Sequence, residues 1–81
     1  MSLNKDKNLK TAADLKIGES GLISGIDYCH PASNRLLEYG FTPGQTIELI
    51  NYPIFKDPIT ISLRGSLIAL RKKDAECIKL H

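Results

Sequence analysis

The apolar period of this sequence changes from that of a helix to that of strands at one sharply marked place, Gly40, Pro43 and Gly44. Before it, Ala32, Leu36 and Tyr39 recur at spacings of four and three and Leu37 widens the stripe, the pattern of one buried helix face. Pro31 suits the first turn of such a helix, where a missing N–H has no intrahelical partner to lose. Gly40 fits the left-handed position that ends it, which places Phe41 to pack back on Leu36. Thr42-Pro43-Gly44-Gln45 then matches a type II turn, with Pro fixing the first central residue and Gly allowing positive φ at the second. Beyond the turn the period is two. Ile47, Leu49 and Asn51 share a face opposite Glu48, Ile50 and Tyr52, and Ile59, Ile61 and Leu63 alternate with Thr60 and Ser62. A chain with one short helix followed only by period two has to build its core mainly from strands.

The remaining segments fit that frame. Ser20–Ile26 reads as a Gly-rich strand, bent or bulged, with Leu22 and Ile26 on one face and Ile23 on the other. Ahead of it, Thr11 and Asp14 have the spacing of a capping box, which starts a single turn carrying Leu15 and Ile17 toward the core until Gly18 stops it. Leu63-Arg64-Gly65-Ser66-Leu67 reads as a tight hairpin into a strand whose Ile68 and Leu70 face inward. One turn through Lys72–Ala75 leads to a last strand, Cys77–Leu80. Residues 1–10 are polar and without apolar period, and are expected to form a flexible tail. Residues 11–81 are expected to be one domain: mainly β, a small closed β-barrel of about five strands with one short inserted α-helix.

Size and charge narrow the function. A chain of 81 residues buries only roughly 60% of its unfolded surface, which leaves little room for a deep catalytic cleft. No phosphate loop, dinucleotide fingerprint, nucleophile elbow or zinc-protease helix motif is present, so binding is favoured over catalysis. The formal net charge of +2 belongs to the first ten residues, where Lys5, Lys7 and Lys10 stand against Asp6; the rest is formally neutral. Its one basic cluster, Arg71-Lys72-Lys73, is followed at once by Asp74 and Glu76, which argues against a nucleic-acid face. With no hydrophobic signal segment or membrane-length apolar run, the expectation is a cytoplasmic protein that does not insert into the membrane.

Few residues are candidates for a site. Cys29 and Cys77 lack metal or redox spacing and read as buried or half-buried free thiols. His30 beside Cys29 reads as a loop or helix-start residue rather than a metal ligand, because neighbours on an extended chain point apart. No metal site or cofactor is expected. Tyr39 and Phe41 read as core. Arg35 and Arg71 read first as solvated or ion-paired groups, with Arg35 retained as a candidate partner contact. The segment Tyr52-Pro53-Ile54-Phe55, bracketed by prolines before Ile59, either packs over a barrel mouth or offers Tyr52, Ile54 and Phe55 to a partner.

Taken together, Arg35-Leu36-Leu37-Glu38-Tyr39-Gly40-Phe41-Thr42-Pro43-Gly44, then Asp57-Pro58-Ile59-Thr60-Ile61, Gly65-Ser66-Leu67-Ile68-Ala69-Leu70-Arg71 and Asp74-Ala75-Glu76-Cys77-Ile78, resemble the FeoA family of small bacterial proteins associated with ferrous iron transport. Leu36, Leu37, Gly40, Pro43, Gly44, Pro58, Gly65, Ala69 and Arg71 carry the resemblance, with Tyr39 and Phe41 where Leu is usual and Lys56 where Gly is common. The resemblance implies an SH3-like barrel that is an accessory to the FeoB membrane transporter, whose cytosolic part binds GTP. Exposed strand edges in so small a barrel lead to the expectation of a monomer or weak dimer. The resemblance also implies an alternative, an Fe(II)-binding chaperone or sensor related to the C-terminal module of DtxR-type regulators. No helix-turn-helix precedes the domain in this sequence.

Overall fold

The computed structural model describes residues 10–51 and 57–81. Its helix, α1, spans Ser33–Tyr39 and ends at Gly40, which adopts φ 107°. The Gly40 N–H donates to the Leu37 carbonyl at 3.0 Å and the Phe41 N–H to the Leu36 carbonyl at 3.1 Å, the paired bonds of a Schellman cap. Phe41 and Leu36 are both fully buried. The chain then turns at Pro43 and Gly44, with Gly44 at φ 92° and the Gln45 N–H donating to the Thr42 carbonyl at 3.2 Å. This is the geometry that the Pro-Gly pair predicts.

Six antiparallel strands form one sheet. In chain order they are β1 (Lys10–Thr11), β2 (Ser20–Ile26), β3 (Thr46–Asn51), β4 (Ile59–Leu63), β5 (Ser66–Leu70) and β6 (Ile78–Leu80), with a 3-10 turn at Ala12–Asp14 and a single helical turn, α2, at Lys72–Ala75. The order across the sheet is β1-β6-β2-β3-β4-β5. Strand β2 makes the bend: Ser20–Leu22 pair with β3, and Ile23–Ile26 pair with β6. The sheet thereby wraps one apolar face around a single core that includes Ile23, Leu36, Phe41, Leu49, Ile61 and Ile78.

Four details differ from the sequence reading. There are six strands because Lys10–Thr11, assigned to the tail and the capping turn, pair with Leu80 and Lys79; residues 1–9 lie outside the described residues. No ladder among the described residues joins β5 to β1, so the sheet is wrapped but not closed by hydrogen bonds. In β2 the expected bulge falls between Ile23 and Gly25, but it resets the alternation so that Ile23 and Ile26 are both buried while Leu22 is exposed, not the facing read from the sequence. Ile17 is exposed rather than core. It sits at the tip of a turn closed by the Glu19 N–H on the Lys16 carbonyl at 2.8 Å, with Gly18 at φ 84°, and only Leu15 reaches the interior.

The Thr11–Asp14 capping box is formed in both directions. Next to it, the Lys10 ammonium contacts the Glu19 carboxylate, and the Lys16 N–H donates to the same carboxylate at 2.9 Å. The Lys10 hydrogen bond first, and the Lys16 N–H second, hold the Glu19 carboxyl below the ordinary carboxylate range. Since the folded state favours the ionised form, this contribution is complete above the unfolded carboxylate value and is lost as pH falls through the lower folded one. Urea midpoints followed from neutral pH into acid should therefore decline more shallowly in Glu19→Gln than in the parent. Replacing Gly40 by Ala tests the helix end. Its Cβ would stand 3.6 Å from Leu63 Cδ2, an ordinary contact, so the cost is conformational, about 1–2 kcal/mol, read as a lower thermal midpoint.

Candidate partner-binding groove

Three contacts fasten α1 and the segment before β4 to the short α2 turn. At the start of α1, His30 Nδ1 accepts from the Ala32 N–H at 3.1 Å, which assigns the proton to Nε2; Nε2 then donates to the Lys73 carbonyl at 3.1 Å. One turn on, Arg35 Nη2 meets Asp74 Oδ2 at 2.8 Å. From the segment before β4, Asp57 Oδ1 accepts the Lys72 N–H at 2.8 Å, satisfying a backbone donor at the start of α2 that has no partner within its own turn. The other Asp57 oxygen lies 3.7 Å from Arg71 Nη2.

Two adjoining depressions lie between α1 and β5, and the Arg35–Asp74 pair borders the first of them. One, of about 420 Å³, is lined by Arg35, Tyr39, Pro58, Ala69, Leu70, Arg71 and Asp74. The other, of about 450 Å³, is lined by Tyr39, Leu63, Arg64, Ser66 and Ile68. Tyr39 belongs to both. It is 49% exposed, contrary to the core assignment made from its spacing, and its ring meets the buried Phe41 edge-on at 6.4 Å between centroids. A side chain anchored on the core by one edge and open to solvent on the other is a preformed contact surface with little rotamer freedom left to lose.

The structure brings together four residues that the sequence had singled out separately: Arg35, Pro58, Ala69 and Arg71 line the same depression. Both arginines are ion-paired, as their first reading expected, with more than half of each side chain exposed. Leu36, Gly40, Pro43, Gly44 and Gly65 act on backbone and core, and Leu37 is half-buried against the core. Tyr52, Ile54 and Phe55 lie outside the described residues. Tyr39, Arg64, Asp57 and Asp74 were missed. The signal for Tyr39 was its position four residues after Arg35, which puts the two on one helix face.

Among the described residues no three His, Cys, Asp or Glu side chains converge as a metal site would require. Both His30 ring nitrogens are engaged. Cys29 is exposed, not buried or half-buried as read from the sequence, and its N–H donates to Asp27 Oδ1 at 3.1 Å. No helix among the described residues is long and apolar enough to cross a membrane.

A family model, the FeoA domain, matches residues 10–81. The chain belongs to the FeoA family. Its members take part in ferrous iron transport. A Campylobacter jejuni relative named Fe(2+) transport protein A is 27% identical over 71 residues, which cover 88% of this chain and 96% of that one. Among solved structures, the Stenotrophomonas maltophilia FeoA complexed with zinc, described as an SH3 domain protein, superposes with a TM-score of 0.79 at 21% identity and 89% coverage of both chains. A manganese-dependent transcriptional repressor superposes at 0.75 with 15% identity, covering 88% of this chain and 40% of the repressor; that likeness is one of fold. The FeoA-family fold expected from the sequence is thus present, with the α1–β5 groove built on it.

The two thiols of this FeoA-family chain should behave differently. Cys77 is fully buried with Sγ donating to the Asp27 carbonyl at 3.3 Å, and burial pushes its thiol above the ordinary range. A thiol reagent at neutral pH should label one cysteine per folded chain, Cys29, and reach the second only on unfolding.

Proposed function

We propose that this FeoA-family chain is a cytoplasmic accessory protein of bacterial ferrous iron uptake that works by docking on the cytosolic GTP-binding region of the FeoB-type transporter, and that the α1–β5 groove is the docking surface. The observation that carries the reading is the position of Tyr39: half-exposed, braced on the core through Phe41, and shared by both depressions. Aromatic anchors ringed by arginine are the usual source of binding energy in small interfaces. Here Arg35 and Arg71 stand at the rim, each held in place by an aspartate while much of its side chain stays open to solvent. Pre-placed side chains of this kind lose less freedom on binding. A docking role also suits the formally neutral body of the chain, since an apolar anchor with a polar rim does not need a large net charge.

Residues 52–56 connect Asn51 to Asp57, and Asp57 holds both Arg71 and the start of α2. Tyr52, Ile54 and Phe55, which the sequence reading offers to a partner, lie outside the described residues, and the proposal that they also contact the transporter is tested by substitution. By biasing the nucleotide state of the transporter's cytosolic region, a bound accessory chain would act on transport without carrying out chemistry of its own.

The test is a titration of this chain into the isolated cytosolic region of the transporter, with and without guanine nucleotide. Tyr39→Ala should weaken binding by about tenfold or more while leaving a cooperatively folding chain, because the residue is half-exposed. Tyr52→Ala with Phe55→Ala should weaken it further. Wild-type affinity in the Tyr39→Ala chain would exclude the groove as the docking surface.

A further inference from the structure

Among the described residues, strand β5 is the last strand of the sheet, paired with β4 on one side only. The hairpin register sets Leu63 opposite Ser66, Ile61 opposite Ile68 and Ile59 opposite Leu70. In a hairpin with a two-residue turn the flanking pair is hydrogen-bonded, and antiparallel pairs then alternate. The backbone groups of Ser66, Ile68 and Leu70 are therefore spent on β4, while the N–H and C=O of Leu67 and Ala69 face the open edge. Both residues are exposed, Leu67 by 66%. Natural sheets blunt such an edge with proline, an inward charge, a bulge or a covering loop. Ser66-Leu67-Ile68-Ala69-Leu70 contains no proline or charge, its register with β4 is unbroken, and four of its five residues line the groove that Tyr39 closes from the other side.

The charge around this edge indicates what fits it. Arg64 stands at one end of β5 and Arg71 at the other. Two copies of the chain pairing β5 to β5 in antiparallel would set Arg64 of one beside Arg71 of the next, a like-charge contact that disfavours self-association. Arg71 has Asp57, but Arg64 has no ion pair among the described residues. Arg64 also adopts φ 54°, with Gly65 at 85°. The first of these two turn positions ordinarily takes Asn, Asp or Gly, because a larger side chain is strained there. A strained arginine with no ion pair among the described residues, at the mouth of the groove, is suited to a carboxylate brought by a partner.

We propose that β5 takes up an extended, acidic segment of the docking partner as an added strand. Its backbone pairs with Leu67 and Ala69, its alternate side chains lie against Tyr39 on one face and Leu67 on the other, and a carboxylate lies on Arg64. This rests on the docking reading above and specifies its geometry.

The experiment uses the isotopically labelled full chain with the transporter's cytosolic region as probe. Amide exchange at Leu67 and Ala69 should slow by about tenfold or more on binding. Ala69→Pro removes an edge-facing N–H that the β4 ladder does not use and should weaken binding by about tenfold. Arg64→Asn, which suits the turn, should raise the thermal midpoint of the free chain yet weaken binding and its dependence on salt. Binding that leaves both amides exchanging as in the free chain, with Arg64→Asn at wild-type affinity, overturns strand addition and leaves groove docking standing. Absence of any binding overturns both. The exchange measurement needs no substitution, so it decides the matter even if Ala69→Pro fails to fold.

Discussion

Much of this small fold depends on how α1 is stopped. Gly40 at φ 107° lets the Phe41 N–H reach back to Leu36 and delivers a fully buried aromatic ring into the core. Three residues later the same stretch is fixed from the other side, where the Gly44 N–H donates to the Ile23 carbonyl at 2.9 Å and the Ile23 N–H to the Gln45 carbonyl at 2.8 Å. Helix, turn and first long strand are thus joined within six residues. The position of Tyr39 follows from this. It is the last residue of a helix whose end is pinned, so its ring is held at the groove by backbone hydrogen bonds as well as by Phe41.

Backbone features with strong local chemistry were legible in the sequence. The type II turn, the Thr11–Asp14 cap, the Arg64–Gly65 hairpin and the alternating runs of β3 and β4 each depend on a few adjacent residues. Ser20–Ile26 was found with the correct bounds, but its faces were not, because a bulge is set by the register of the neighbouring strand and leaves only a weak trace in the strand that contains it. Strand β1 was missed for the same reason. A two-residue strand has no period of its own and exists because Lys79 and Leu80 offer it an edge.

The groove was legible in pieces only. Arg35, Pro58 and the Ala69–Arg71 pair come from three separate segments, and nothing in the spacing between those segments says that they share one depression. What unites them is α2, whose single turn receives Asp57, Arg35 and His30 from outside. Long-range polar contacts of this kind are side-chain events between elements that are distant along the chain. The exposure of Tyr39 was misjudged because a helix of seven residues has too few turns for its stripe to show where the core ends and the rim begins.

The bulge in β2 changes, within seven residues, which parity of residue faces inward. Ile23 and Ile26, an odd number of positions apart, both point to the core. A straight strand would send one of them to solvent. The extra residue therefore acts as a frameshift in the code of inside and outside, and the two halves of β2 obey opposite rules. A comparison of distant sequences that assumes one constant alternation will misassign half of this strand even where every residue is correctly matched. In this fold the meaning of a position is set by its place relative to Ser24.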